Sequence, residues 1–372
     1  MQPRRLSVGA VAALVSILVV PAARGDADAV RAVATYGSMQ RFFYRPVGLY
    51  VANPSARASP YATAWPFSQA FAATIMMAEL PGIGTRYRRH VVARLRGLDR
   101  YWNGRSAPGG YDSSVRPPLG YGGVQYYDDN EWIGRDLLAA HRVLGGRALV
   151  RRARRLFLLV ERGWDRNRSH PCPGGVFWSR SGRIADRNTV STANGAALAL
   201  ALYRETHSRH YLRWAGWMYG WVYRCMAAPN ELFWDHIDLS GNLDTTHWSY
   251  NQGLMILTGT MLYEATGNER FLVAAERVAD AAVDAFAGEE ATEPPEFMAL
   301  FLRSLLVLDT AAPARQDAAV AQAYADTVWS RYRDPATGLF RFDPRKPPRL
   351  LEQAAMVQLY AALAAKAAAE TP

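Results

Sequence analysis

Two aspartates stand side by side in the segment Tyr126-Tyr127-Asp128-Asp129-Asn130-Glu131-Trp132. Paired carboxylates can divide acid/base labour at one bond, one group holding a proton while the other stays ionised. An ordinary role fits the same residues. Asp is a favoured helix N-cap, and its charge complements the N-terminal dipole. A cap needs only one carboxylate, however. Two neighbours repel, so one must lean into a cavity or meet a cation, and spacing alone leaves both readings open. Tyr126, Tyr127 and Trp132 flank the pair. Apolar pyranose faces stack on aromatic rings, so this is a plausible sugar platform.

Similar residue types recur elsewhere. Gly174-Gly175-Val176-Phe177-Trp178 precedes Arg187-Asn188-Thr189, and Asp244 leads into Trp248-Ser249-Tyr250-Asn251-Gln252-Gly253. A further segment is Trp65-Pro66-Phe67-Ser68-Gln69. Each residue singly fits a cap or a core aromatic. Trp, Asn, Gln, Tyr and Asp repeated at helix starts carry the chemistry of hydroxyl recognition. Candidate substrate contacts are Tyr127, Asn130, Trp178, Asn188, Asp244, Trp248, Tyr250, Asn251 and Gln252.

Other chemistries find little support. The histidines form no HExxH, no Cys/His set has metal-ligand spacing, and GxSxG, P-loop and dinucleotide glycine patterns are missing. No metal or cofactor is expected. His207 and His210 are placed on the solvent side. His236 and His247 lie nearer the candidate loops, each without an obvious partner. A carboxylate acid/base enzyme is the class that remains.

The chain has 372 residues, 50% of them hydrophobic, which is enough for a sizeable core and excludes intrinsic disorder. The formal net charge of +10 comes almost wholly from arginine, since Lys346 and Lys366 are the only lysines. The arginines are scattered without a long basic run, which argues against nucleic acid as a partner. Arg4, Arg5 and the apolar run Leu6 to Val20 read as a secretory signal, with Ala23-Arg24-Gly25 as the cleavage site before Asp26. An uncleaved anchor is the rival reading. Domain boundaries follow as 1–25 for the signal and 26–372 for one mature domain, secreted and without stable membrane insertion after cleavage. Cys172 and Cys225 suit either one disulfide of an exported protein or two separate buried thiols.

The elements that must position these residues are helices. Arginine-rich amphipathic segments such as Thr85 to Asn103 and Arg147 to Asp165 alternate with segments almost free of charge. Asn188 to Tyr203 and Trp248 to Tyr263 carry no charged residue, as helices buried on all sides would. Uncharged or weakly charged helices are expected to begin near Trp65, Asp129, Asn188, Ser249, Pro295 and Leu350. The last of them, Ala354 to Ala365, has no polar outer face and so favours a closed ring over an open stack. The fold class is therefore all-α, an (α/α)6 barrel of six inner and six outer helices. Its long aromatic loops are Pro46 to Ala64, Gly104 to Tyr127, Asn167 to Arg187 and Pro229 to His247. They should gather at one mouth.

With these residues in view, the chain resembles glycoside hydrolase family 76, the α-1,6-mannanases, over nearly all of its mature length. Tyr127-Asp128-Asp129-Asn130 with Trp132, Gly174-Gly175 with Trp178, Asn188-Thr189, and Trp248-Ser249-Tyr250-Asn251-Gln252-Gly253 carry the resemblance. It implies the same barrel and retaining endo-hydrolysis of α-1,6-linked mannan, with Asp128 as nucleophile and Asp129 as acid/base. The expected partner is α-mannan, polysaccharide or oligosaccharide, and the chain is expected to be a monomer with Trp178 and Trp248 stacking on mannose rings. Fungal members regarded as wall transglycosidases, and a silent glycan-binding protein on the same scaffold, are the alternatives. Glu131 stands where the family usually has a small residue, Phe177 replaces a tryptophan and Arg187 a lysine.

Overall fold

Charge alternation becomes a division between inside and outside. The computed structural model describes residues 24–55, 61–182, 184–286, 288 and 293–370. Among them twelve α-helices follow in chain order: α1 (Arg24–Phe43), α2 (Ala64–Glu79), α3 (Arg88–Leu98), α4 (Tyr127–Leu144), α5 (Arg147–Arg162), α6 (Thr189–Thr206), α7 (Arg209–Met226), α8 (Ser249–Thr266), α9 (Glu269–Phe286), α10 (Pro295–Ala311), α11 (Asp317–Arg331) and α12 (Leu350–Glu370). The even-numbered helices pack each on the next, and α12 returns to α2 to close the ring. α3, α5, α7, α9 and α11 lie outside, each on the inner helix before it, while α1 packs on α12 and joins the two ends. This is the (α/α)6 barrel that the sequence predicts.

Burial explains the composition of each layer. Along α6, Thr189 to Leu200 are all buried, so a charge anywhere there would lose its hydration without a partner. On α5, Ala153, Leu156, Phe157, Leu159 and Val160 face the barrel and the arginines face water. Each fully buried Leu or Phe contributes about 1.5–3 kcal/mol relative to exposure. Inner helices also need close approach. A Cβ on Gly253 of α8 would lie 2.7 Å from the Phe301 backbone of α10, so only glycine fits there.

Some expectations change in detail. The amphipathic segment Thr85 to Asn103 is not one helix: α3 is flanked by 3-10 turns at Gly84–Tyr87 and Asp99–Tyr101. The mouth loops also contain strands of two residues, too short to leave an alternating pattern. They are β1 (Trp102–Asn103) with β2 (Gly110–Tyr111), and β3 (Arg187–Asn188), β4 (His236–Ile237) and β5 (Leu243–Asp244) in one antiparallel sheet. The signal segment Arg4 to Val20 lies outside the described residues, and the expected cleavage point after Gly25 falls in the first turn of α1. No helix among the described residues is long and apolar enough to cross a membrane.

Candidate active site

The loops at the N-terminal ends of the inner helices enclose a cleft of about 470 Å³. Asp128 and Asp129 open into it from the first turn of α4, with Trp65, Tyr126, Trp132, Trp178, Tyr250 and Phe297 as its aromatic walls. Asp186, Asn188, Asp235 and His236 add polar groups.

The chain folds locally to fix that first turn. Tyr126 is extended, and the Tyr127 amide donates to the Trp178 carbonyl at 2.9 Å. Trp178 is thereby tied to the helix start, and its indole Nε1 donates to Asp128 Oδ2 at 3.3 Å. Below the pair, Asn130 accepts from the Tyr111 amide at 2.7 Å and donates to the carbonyls of Tyr111 (3.1 Å) and Tyr126 (2.7 Å). Asn194 of α6 donates to the Asp128 carbonyl at 3.4 Å. Among the described residues no cation lies within ion-pair distance of either aspartate.

Burial without a counter-charge governs their titration. It pushes Asp128 up to about 6, although first-turn amides and Trp178 pull it back. Burial raises Asp129 well above the usual carboxylate range, and the Asp128 charge raises it further. Desolvation is thus the larger cause, ahead of mutual repulsion, and it acts on both groups rather than on one. Beneath them Glu131 is fully buried, with neither carboxylate oxygen hydrogen-bonded, and burial holds it far toward the neutral form.

Of the other carboxylates in the cleft, Asp235 is better served. Asp235 accepts from Asn251 Nδ2 at 3.0 Å and lies 2.9 Å from His236 Nδ1. His236 also lies 3.9 Å from Asp186 and 4.0 Å from Asp244. Burial lowers the His236 pKa, but these carboxylates, Asp235 foremost, outweigh it and raise the value. His236 is thus partnered first by its chain neighbour Asp235, and by Asp186 and Asp244 once the loops fold together. Asp235, His236 and Asp244 hold one ligand atom each within 4.8 Å of one another, a spacing that a cation could bridge. Their mutual contacts already account for that cluster.

The sequence candidates separate into two groups. Asp128, Asp129, Trp178, Asn188 and Tyr250 line the cleft. Tyr127, Asn130, Asp244, Trp248, Asn251 and Gln252 are not among its lining residues. Asn130 and Gln252 are corrected from hydroxyl contacts to backbone clamps. Gln252 accepts from the Phe233 amide at 2.8 Å and donates to the Phe233 and Trp248 carbonyls, both at 3.0 Å. Asn251 is likewise turned to Asp235. Trp248 packs edge-on against Phe297, and Asp244 caps its own loop by accepting from the Thr246 amide. Tyr127 packs under Gly163.

Phe297, Asp186 and Asp235 escaped the sequence reading. Phe297 stacks with Tyr250 at 4.1 Å and touches both Trp65 and Trp248, so it organises one whole wall. Its place in the first turn of α10 is the signal that marks it. Cys172 and Cys225 are joined as a disulfide, with Cα atoms 6.0 Å apart. Buried Arg187 braces the same loop, donating to Asp165 at 2.8 Å, the Pro171 carbonyl at 3.0 Å and the Asp238 carbonyl at 2.8 Å.

Comparison with known proteins follows the same line. The family model described as glycosyl hydrolase family 76 matches residues 27–370. A mannan endo-1,6-alpha-mannosidase, DCW1 of Candida glabrata, is 31% identical over 116 residues, which are 28% of this chain and 25% of that protein. The chain thus spans about a quarter of the length of that curated relative. A family 76 mannosidase from Bacteroides thetaiotaomicron superposes with a TM-score of 0.81 at 20% identity, covering 91% of this chain and 98% of the other. An inactive α-1,6-mannanase variant from a Salegentibacter species, in complex with α-1,6-mannotriose, gives a TM-score of 0.76 at 20% identity over 91% and 99% of the two chains. That variant has two adjacent aspartates replaced by asparagine.

Proposed function

The chain belongs to glycosyl hydrolase family 76, and from that premise we propose that it hydrolyses α-1,6-linked mannan internally, by a retaining double displacement. The observation that carries this reading is the adjacent acid pair, desolvated at the floor of an aromatic cleft with no cation beside it. Such a pair splits its roles by environment. Asp128, accepting from Trp178 and the first-turn amides, is the more readily ionised and serves as nucleophile. Asp129 keeps its proton and serves as acid.

In the first step Asp129 protonates the glycosidic oxygen as the Asp128 carboxylate attacks the anomeric carbon. The C–O bond to the leaving sugar breaks, and a β-linked glycosyl ester forms on Asp128. In the second step the Asp129 carboxylate takes a proton from water. The water oxygen attacks the anomeric carbon, the ester bond breaks, and the α-anomer leaves with Asp129 protonated again. Trp178 and Tyr250 bear the sugar rings, and Asn188, Asp186 and Asp235 face their hydroxyls. Two likenesses support the reading: the Candida relative is an endo-1,6-alpha-mannosidase, and the Salegentibacter enzyme is inactive with its adjacent aspartates replaced. Secretion through residues 1–25 belongs to the same proposal, since mannan of a wall or envelope lies outside the cytoplasm.

The test is incubation with linear α-1,6-mannan, which should yield shorter oligosaccharides. Asp129→Asn should fail on mannan yet glycosylate on an activated aryl α-mannoside, with azide releasing an α-mannosyl azide. Asp128→Asn rescued to an α-azide, or Asp129→Asn rescued to a β-azide, would reverse the roles. Binding of mannan without cleavage by the wild type would favour the silent glycan-binding alternative.

A further inference from the structure

Around the rim from the cleft, on the outer wall, lies a second aromatic hollow of about 410 Å³. Trp164, Trp214 and Trp217 line it, with Arg166 and Arg168 at its edge. Trp214 is its buried floor. The rings of Trp164 and Trp217 meet that floor at 80° and 75°, with centroids 5.7 and 5.3 Å away. Trp217 is 57% exposed, so the barrel gains little by burying it. Buried Trp214, Met218, Trp221 and Val222 already hold α7 to the barrel.

The surroundings of Trp217 carry a second sign. Gly216 and Gly220 lie beside it on α7, and a Cβ on either would meet nothing within 4 Å. Glycine inside a helix costs about 1 kcal/mol relative to alanine. Among the described residues no contact requires that cost, and its consequence is an unobstructed approach to the indole. A flat apolar face with guanidinium donors at its edge suits a sugar ring, whose faces stack and whose hydroxyls accept.

The hollow is also rigid. The carboxylate of Asp165, next to Trp164, is held by Arg187 at 2.8 Å and His170 at 2.9 Å. The Trp221 indole donates to the Cys172 carbonyl at 3.1 Å, and the disulfide to Cys225 fastens that loop to α7. The same loop reaches the cleft. Gly174 lines the hollow and Trp178 lines the cleft, four residues on, a span of at most about 14 Å.

We propose that this hollow is a second polysaccharide site, taking another stretch of the mannan whose backbone enters the cleft. It rests on the mannan reading above. Ring stacking on Trp217 and Trp164 holds the polymer at the wall and raises its concentration at the cleft, whereas a short oligosaccharide occupies the cleft alone.

The experiment compares Trp217→Ala, Trp217→Phe and the unmodified chain on linear α-1,6-mannan and on a short α-1,6-manno-oligosaccharide. Retention on immobilised mannan is measured in an Asp128→Asn background, with cellulose as control. Trp217→Ala should weaken retention and raise KM on the polymer about tenfold, the size of one aromatic contact. Its kcat and KM on the oligosaccharide should not move, and Trp217→Phe should restore most of the loss. Unchanged retention and polymer KM in Trp217→Ala would overturn the proposal. So would a matching loss on the oligosaccharide, which would make Trp217 structural, or a change only in oligomeric state, which would make the face an interface between copies. If the unmodified chain cleaves no mannan and the Asp128→Asn chain is not retained, the mannan reading itself fails. Retention that ignores Trp217 sinks the second site alone.

Discussion

The starts of α4 and α12 are built alike and used differently. In each, the fourth helical residue is an amide that clamps the backbone of the preceding loop: Asn130 on Tyr111, and Gln353 on Phe340 with both bonds at 2.9 Å. In each, the third residue is a buried acid, Asp129 or Glu352. Glu352 accepts from Arg349 Nε at 2.8 Å and from the Arg349 amide at 3.2 Å. Asp129 has no such cation, and Asp128 stands beside it. The clamp is therefore scaffold, repeated by Gln252 on Phe233 and by Thr192, which accepts from the Val176 amide at 2.9 Å. An acid left without a counter-charge above that clamp is what sets the α4 end apart, because burial then holds its proton in place.

Removing the acids should break the likeness most sharply. Asp129→Asn should lower kcat on mannan by about 10²–10⁴, the usual worth of a general acid, and Asp128→Asn by at least as much. Glu352→Gln should leave kcat unchanged and cost only stability. Steady-state rates on mannan decide this, and a Glu352→Gln enzyme as impaired as Asp129→Asn would erase the contrast.

Removing the clamps should give a smaller effect. Each strips partners from buried backbone groups, a loss of about 1–3 kcal/mol. Gln353→Ala should lower the unfolding free energy from urea titration by that amount without altering kcat. Asn130→Ala should lower both, since it also holds the turn that carries the aspartates. Equal kcat losses in the two variants would deny the division between scaffold and site.

A subtler contrast lies in pH. With Asp128 up to about 6, kcat/KM should rise as pH passes that value and fall again as Asp129 loses its proton. The optimum thus lies at or above about 6, higher than a pair governed by helix dipoles and repulsion alone would give. An acid limb near 4 would contradict the burial. The smallest effect belongs to Glu131, whose folded pKa is raised. Its contribution is fullest below its unfolded pKa of about 4.3 and is lost as pH rises through the folded value. Glu131→Gln should therefore raise the melting temperature more at pH 8 than at pH 4. An equal shift at both would mean that burial does not raise the Glu131 pKa.

Much of this was legible in the residues. Burying α6 and α8 on every side forbids charge, so uncharged runs marked the inner helices, and the unpolar Ala354 to Ala365 marked ring closure. Asp128, Asp129 and Trp178 were legible because local spacing puts them at one helix start and one loop tip. Asn130 and Gln252 misled, because amides that bind sugar hydroxyls and amides that clamp a backbone are the same residue type at the same helical position. Asp235, His236 and Phe297 were hidden because their further partners, Asn251, Asp186 and Tyr250, stand elsewhere along the chain. Asp186 lies 3.9 Å from His236 only after the loops fold over the mouth.

On this reading two adjacent carboxylates, without a cation, carry a double displacement on an α-mannoside. Proton NMR of the first product formed from α-1,6-mannan, read before mutarotation, tests it most directly. The first product should be the α-anomer, because adjacent residues on one helical turn favour the separation of about 5–5.5 Å that retention needs. A β-anomer as the first product would contradict it.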